Sequence, residues 1–486
     1  MRQKETGPLN RSSIRTSRIR TSCSLLLFCL TAWGCVEQTG PVLSGIPTPD
    51  PLGPLPSPEQ LAWQAQELSA FFHFGINTFS GKEQGDGTDS PTIFNPTTLD
   101  PGQWMATLRA GGFRQAMLTT KHHDGFTLWP SKCTTYSVAA SPWQAGQGDV
   151  VRQFVDAAHQ ANIRVGLALS PFDRHEPTAG TPAYQAVFEC QLTELLTKYE
   201  VVDEIWLWTS PPPAPPFDWN AVEKLVHQLQ PHALLDIGNL ASVAGADIRS
   251  VGGSVGPQAT SDQTSVKTIV NGAPVPVWYP AETVTSIRPS WFWHAADDVR
   301  VKTPTQLLDI YYTSVGRNTV LLLGLQPNTQ GLLPTPDVTA MDQYAAAIRA
   351  IYQTNVVAAR PASADSVFKN APGRAAAMAV DGKIDTFWAA GEGKTSARIE
   401  FDLGGPTSFN VVSIQEPIAL GERTTQHHVE AKVSGTWTTI ATGTAIGQRK
   451  LHRVGAITAT NIALVITQAR GVPAIAEFGV YQSPAP

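Results

Sequence analysis

Cysteine is scarce in this chain of 486 residues: there are five, and only Cys133 and Cys190 lie beyond residue 35. A disulfide framework is therefore excluded, although one bridge between those two remains open. Charge is scarce as well, at 15% of residues. Leaving out residues 1–34, which carry six basic and one acidic side chain, takes the formal charge from −5 to −10. Nucleic acid and anionic membrane surfaces are poor partners for that balance. No Gly-rich phosphate turn follows the first strand-like run, which argues against a dinucleotide-binding sheet. No third ligand stands at suitable spacing from the one adjacent histidine pair, so no catalytic metal and no organic cofactor is expected.

What the chain has is apolar substance: 42% of it is hydrophobic, enough for a large core, and its length favours two folded domains. Arg2, Lys4, Arg11, Arg15, Arg18 and Arg20 precede the apolar run Leu25 to Leu30. That order of charge then grease is an export signal over residues 1–34, too short in its apolar part to span a bilayer. The segment Ala32-Trp33-Gly34-Cys35 resembles a bacterial lipoprotein processing site, which implies a lipid on Cys35; plain secretion is the alternative. Residues 35–58 carry seven closely spaced prolines, from Pro41 to Pro58, and read as an extended tether.

Residues 59–358 alternate short apolar runs with amphipathic stretches. Ala70 to Ile76, Gln115 to Thr119, Arg164 to Ser170, Glu204 to Trp208, Leu234 to Ile237, Val275 to Tyr279 and Thr319 to Leu323 read as buried strands. Asp149 to Ala161, Gln185 to Lys198, Asn220 to Leu229 and Thr305 to Ser314 read as helices. The repeated alternation predicts an α/β chain built on a (β/α)8-type barrel, whose chemistry belongs at the C-terminal strand ends. Residues 362–486 change to short alternating segments between Gly and Thr turns and predict an antiparallel β-sandwich.

The densest polar cluster is Lys121-His122-His123-Asp124-Gly125-Phe126, directly after a predicted strand. With Leu128-Trp129-Pro130-Ser131, Phe72-His73-Phe74-Gly75, Phe94-Asn95-Pro96 and Ser314-Val315-Gly316-Arg317-Asn318, it resembles the glycoside hydrolase family 29 α-L-fucosidases. Trp278 to Glu282 and Ser286 to Phe292 resemble the branch acting on α-1,3/1,4-linked fucose. The resemblance implies fucosylated glycans as partners and sugar contacts at His73, Glu83, His122, His123, Trp129 and Trp291. Neutral imidazoles both donate to and accept from hydroxyls, and aromatic faces match C–H surface.

The family's carboxylates are missing. Aligned on Trp206, the nucleophile position holds Trp208, and in Asp247-Ile248-Arg249-Ser250-Val251-Gly252-Gly253-Ser254 the acid/base position holds Ser254. An indole cannot form a glycosyl ester, and a hydroxyl is too weak an acid to protonate a leaving oxygen. Asp262 and Glu282 are the candidate replacements. Three readings follow: a fucosidase scaffold that binds fucosylated glycans with hydrolysis lost or weak, an active exo-α-L-fucosidase with relocated carboxylates, or an adhesive protein working through the sandwich. The segments Ala379 to Trp388, Phe401 to Gly404 and Ile475 to Tyr481 resemble the discoidin or coagulation factor type C fold, including carbohydrate-binding module family 32. That resemblance implies a structural Ca²⁺ and sugar contacts from loop residues such as His427, His428 and Arg423; Trp388 reads as core. Growth with labelled palmitate is expected to leave label on the chain and none on a Cys35→Ala variant, and an unlabelled wild type would remove the anchor.

Overall fold

The computed structural model describes residues 45–208, 216–238, 246–252, 261–270 and 274–483. The export signal and Cys35 lie outside the described residues, as does Ser254. Among the described residues no helix is long and apolar enough to cross a membrane.

The N-terminal domain is a parallel sheet of eight strands: β1 (Leu68–Phe72), β2 (Gln115–Lys121), β3 (Arg164–Leu169), β4 (Glu204–Leu207), β5 (Leu234–Asp236), β6 (Arg249–Gly252), then, after a hairpin of β7 (Val266–Val270) and β8 (Pro274–Trp278), β9 (Ala281–Ser286) and β10 (Thr319–Leu325). The spatial order is β5-β4-β3-β2-β1-β10-β9-β6, and a parallel bridge between Asp236 and Ile248 brings the two end strands together. Helices α1 (Pro58–Gln66), α2 (Ile76–Ser80), α3 (Pro101–Gly111), α4 (Val150–Gln160), α5 (Tyr184–Lys198), α6 (Trp219–Leu229), α7 (Pro304–Thr313) and α8 (Thr335–Tyr352) punctuate these strands. Their starts are written locally: Ser57 with Gln60 and Thr303 with Gln306 form capping boxes, while Asp100, Asp149 and Asp218 accept bonds from first-turn amides. Each such cap is worth about 1 kcal/mol.

The expected strand at Val275 to Tyr279 is outside the barrel, because β8 pairs antiparallel with β7. The barrel instead uses β6 and β9, which carry Ser250, Glu282, Thr283 and Thr285. Their polar side chains, buried on β9 and half-buried on β6, hide the apolar signature of a core strand. Cys133 and Cys190 form the disulfide that the sequence left open.

The C-terminal domain is antiparallel. Strands β11 (Ala362–Ala364), β13 (Ala397–Gln415), β14 (Thr424–Val433), β15 (Thr436–Gly443), β16 (Lys450–Ala469) and β18 (Glu477–Tyr481) form one sheet, and β12 (Trp388–Ala389) pairs with β17 (Ala474–Ile475) in another. Its core includes Trp388, Phe401, Phe409, Ile462 and Phe478. Residues 45–57 of the expected tether lie along this domain: Leu52 N donates to Leu420 O (2.9 Å), Arg423 to Asp50 O (2.6 Å) and Arg374 to Pro47 O (3.1 Å).

The domains meet through buried polar bonds. Asn318, held at φ 62°, donates to Gln263 O (2.8 Å) and to Glu422 (3.2 Å), and accepts from Gln448 N (2.8 Å). Glu422 also accepts from Ser265 N at 2.9 Å. An Asn318→Ala variant leaves these partners unsatisfied and places a Cβ residue without a local polar group in the left-handed region. We expect a loss of about 1–3 kcal/mol, read as a lowered calorimetric unfolding temperature; an unchanged temperature would contradict the role given to this residue.

Candidate functional site

The last strand residues and those just beyond them converge at the C-terminal mouth of the barrel. Phe71, Met117, Ala168, Trp206, Val284 and Leu322 fill the barrel interior, with Trp208 and Trp291 packed against them. Side chains two apart on a strand share a face, so His73 follows Phe71 and Trp208 follows Trp206 onto the inward side. His122 and His123 arrive from the loop after β2. That loop is fixed by Lys121, which is wholly buried and donates to Asp173 (3.2 Å), Tyr184 (2.6 Å) and Gln191 (2.8 Å). Gly125 sits at φ 94°, and a Cβ there would fall 2.1 Å from the Asp173 carboxylate, so the motif requires glycine at this place.

Trp208 stands in the middle of the histidines. Its ring centre is 5.1 Å from those of His122 and His123 and 5.7 Å from that of His73, edge-on in each case. Trp291 lies 5.0 Å from His73, and Phe292 lies 5.0 Å from His122. Phe172 closes on His123 at 5.3 Å. Gly324 makes room for Trp291, since a Cβ there would lie 3.0 Å from the indole.

All three imidazoles are neutral. Burial is the first cause in each case, followed by neighbouring charge: His123 acts on His73, Arg174 on His123, and His123 with His73 on His122. His73 and His123 are pushed down to about 3, and His122 falls well below the usual histidine range. Asn77 Nδ2 faces His122 Nδ1 at 3.3 Å, and the same ring is hydrogen-bonded to the Gln84 backbone. Ser170 Oγ lies 2.6 Å from His123 Nδ1 and donates to Phe172 O at 3.0 Å, so His123 carries its proton on Nδ1. His123 thus presents an acceptor at Nε2.

Glu83 acts through the loop it holds. Its carboxylate accepts from Trp291 N (2.8 Å) and Phe292 N (3.2 Å) and meets His294 Nε2 at 2.9 Å. This clamp carries both aromatic rings over the histidines.

Three expectations are corrected. Trp129 is completely buried, and its Nε1 donates to Glu194 at 2.9 Å, so it is core and offers no sugar platform. Asp262 lies against the sandwich, where it accepts from Thr444 N (3.0 Å) and pairs with Lys450. Glu282 is the second residue of β9 and fully buried at the opposite end from the mouth. Neither acid joins the histidines. Asn77, in α2, and Ser170, just after β3, which contact the histidine Nδ1 atoms, escaped sequence reasoning because short polar residues near element ends are also ordinary turn and cap formers.

With this geometry in view, similarity to known proteins becomes informative. Residues 57–349 match the α-L-fucosidase family model, and residues 361–478 match the F5/8 type C domain. The chain belongs to the α-L-fucosidase family. Alpha-L-fucosidase 1 of Arabidopsis thaliana is 37% identical over 459 residues, covering 90% of this chain and 89% of that protein. A Ruminococcus gnavus GH29 fucosidase in complex with fucose superposes with a TM-score of 0.83 at 31% identity, covering 90% of this chain and 97% of the other.

In the discoidin-type domain of this fucosidase-family chain, Trp388 is buried and donates to Ser366 O at 3.1 Å. Arg423 is also buried and bonds backbone carbonyls, which removes it from any sugar-contacting loop. His427 is turned inward, its Nε2 2.9 Å from His452 Nε2. A hard cation such as Ca²⁺ would find oxygen donors at Asp381, Lys383, Thr386 and Glu477. Thr386 Oγ1 lies 2.8 Å from Asp381 Oδ1 and 2.9 Å from Lys383 O, and Glu477 Oε1 is buried with no partner. Burial and the adjacent Asp381 carboxylate push Glu477 up to about 7. Ca²⁺ is therefore expected to raise the unfolding temperature of the wild type, more at pH 8 than at pH 6, and not that of an Asp381→Asn, Glu477→Gln variant.

Proposed function

We propose that this chain binds fucosylated glycans at the barrel mouth and hydrolyses them weakly or not at all. The observation that carries the reading is Trp208, an indole in edge contact with all three histidines at the position where the family resemblance puts a nucleophile. A retaining glycosidase needs two carboxylates about 5–5.5 Å apart. At this strand tip one of them is an aromatic ring. The proposed replacements are committed elsewhere, Asp262 to the sandwich and Glu282 to the barrel floor.

What survives suits recognition. Neutral His73, His122 and His123 suit sugar hydroxyls, and Trp208, Trp291 and Phe292 supply aromatic surface for C–H groups and a methyl. The relative described in complex with fucose supports L-fucose as the sugar. Terminal α-1,3- or α-1,4-linked fucose is the proposed determinant, and display at the outer cell surface through Cys35 is the proposed setting.

General acid catalysis alone is worth roughly 10²- to 10⁴-fold, and the covalent route needs a nucleophile as well. Turnover of an aryl α-L-fucoside is expected to fall below that of ordinary glycosidases by at least that factor. L-Fucose is expected to bind calorimetrically and to weaken by roughly 2- to 10-fold in His122→Ala or His123→Ala. Ordinary turnover would overturn the reading, and so would the absence of fucose binding.

A further inference from the structure

At the end of the barrel opposite the mouth, the two domains enclose a cleft of about 730 Å³. Residues at the start of β1, in the turn before β2 and on α7 and α8 form one wall, and β13 and β18 of the sandwich form the other. None of the mouth residues lines it. Its volume is that of a small-molecule site, and domain interfaces are where such sites are common.

The walls are polar well below their surface. Gln66, Tyr311, Ser413 and Gln415 all line the cleft, and each is more than nine-tenths shielded from solvent. Gln66 carries the chemical clue. Gln115 Nε2 donates to Glu204 Oε2 at 2.5 Å, so Gln115 Oε1 is left to accept from Gln66 Nε2, at 3.2 Å. That chain fixes which end of the Gln66 amide is oxygen, and Gln66 Oε1 is buried with no partner. A buried amide oxygen without a donor is unfavourable, and a hydroxyl-bearing ligand removes that cost.

Donors and ring faces stand on the same walls. Arg449 Nε pairs with Glu67 and Nη1 donates to Ser413 Oγ at 3.1 Å, which leaves Nη2 without an acceptor among the described residues. Arg114 is exposed at the rim. Tyr352 and Tyr481 are half-buried and meet edge to face, with ring centres 4.9 Å apart. The Tyr311 hydroxyl holds that of Tyr352 at 3.0 Å. Both signs of charge line the cleft, Arg114 and Arg449 against Glu67, Asp381 and Glu477, so it favours a neutral occupant. Aromatic rings flanked by donors and acceptors complement a sugar, which has C–H faces and a hydroxyl rim.

We propose that this cleft is a second carbohydrate site, which takes a short, neutral oligosaccharide and does not require fucose. Gln66 Oε1 accepts from one sugar hydroxyl, Arg449 Nη2 and Arg114 donate to others, and the Tyr352 and Tyr481 rings meet the C–H face. The site shares no residue with the mouth. It therefore stands whether or not the mouth binds fucose.

The test titrates the full chain calorimetrically with lactose, N-acetyllactosamine and diacetylchitobiose, none of which carries fucose. EDTA is present throughout, so that no cation at Asp381 and Glu477 contributes. At least one of these sugars should bind the wild type. Gln66→Met, which keeps the volume and removes the acceptor, should weaken that binding roughly 3- to 10-fold. Arg114→Ala should do the same, and as a change at an exposed residue it keeps the question open to test even where Gln66→Met lowers the unfolding temperature. His122→Ala should leave the disaccharide affinity unchanged. Failure of all three sugars to bind overturns the site, as does binding that both cleft variants leave intact or that His122→Ala abolishes. Disaccharide binding that follows the cleft variants in a protein that takes up no L-fucose overturns the mouth reading and spares the cleft.

Discussion

Side chains two residues apart on a strand point the same way, and on β4 that rule stacks Trp208 above Trp206 inside an almost closed parallel sheet. The consequences run in both directions along the barrel axis. Above, Trp208 fills the centre of the mouth and meets three histidines at their edges. Below, the Trp206 N–H reaches Asp236 and Ser250, which binds the mouth to a floor of buried acids. Leu207, between them, faces outward into the packing under the helices. A change to either indole would therefore be felt one layer away.

Dryness gives the mouth its chemical character. Imidazoles this buried do not hold a proton charge, so they speak to a ligand through directional hydrogen bonds. Directionality needs fixed rings, and the ring positions are set by Asn77, Ser170 and the aromatic neighbours. The Glu83 clamp completes the enclosure by holding backbone amides of the loop that carries Trp291 and Phe292. In the proposed glycan site, specificity would thus depend on residues that need not touch a sugar at all.

Much of the fold was legible before any coordinates. The apolar strands β1 to β5 and β10 and four of the long helices follow from periodicity alone. Strands β6 and β9 were not, because inward positions there hold Ser250 and Glu282 and outward ones Thr283 and Thr285, and polar residues on both faces defeat a hydrophobic pattern. The same blindness affected the site. Histidines beside a strand end stood out, but burial decides between platform and core, and only packing showed Trp129 bonded to Glu194 and Asp262 turned toward the sandwich. Sequence distance also hid the meeting of Asp236 and Glu282 at the Ser250 hydroxyl, on strands brought together only by closure of the sheet.

The seam around Asn318 and Glu422 has an entropic meaning. A discoidin-type module on a free linker samples many positions, and its effective concentration at a second binding event depends on that sampling. Here buried hydrogen bonds join the two domains, and the segment 45–57 is laid along the sandwich. The distance between the barrel mouth and any point on the sandwich is then a constant of the molecule. Were both surfaces to hold a ligand, the pair would work as a ruler: a molecule that matches the span would gain both contacts at no further cost in domain freedom, and one that does not match would gain only one.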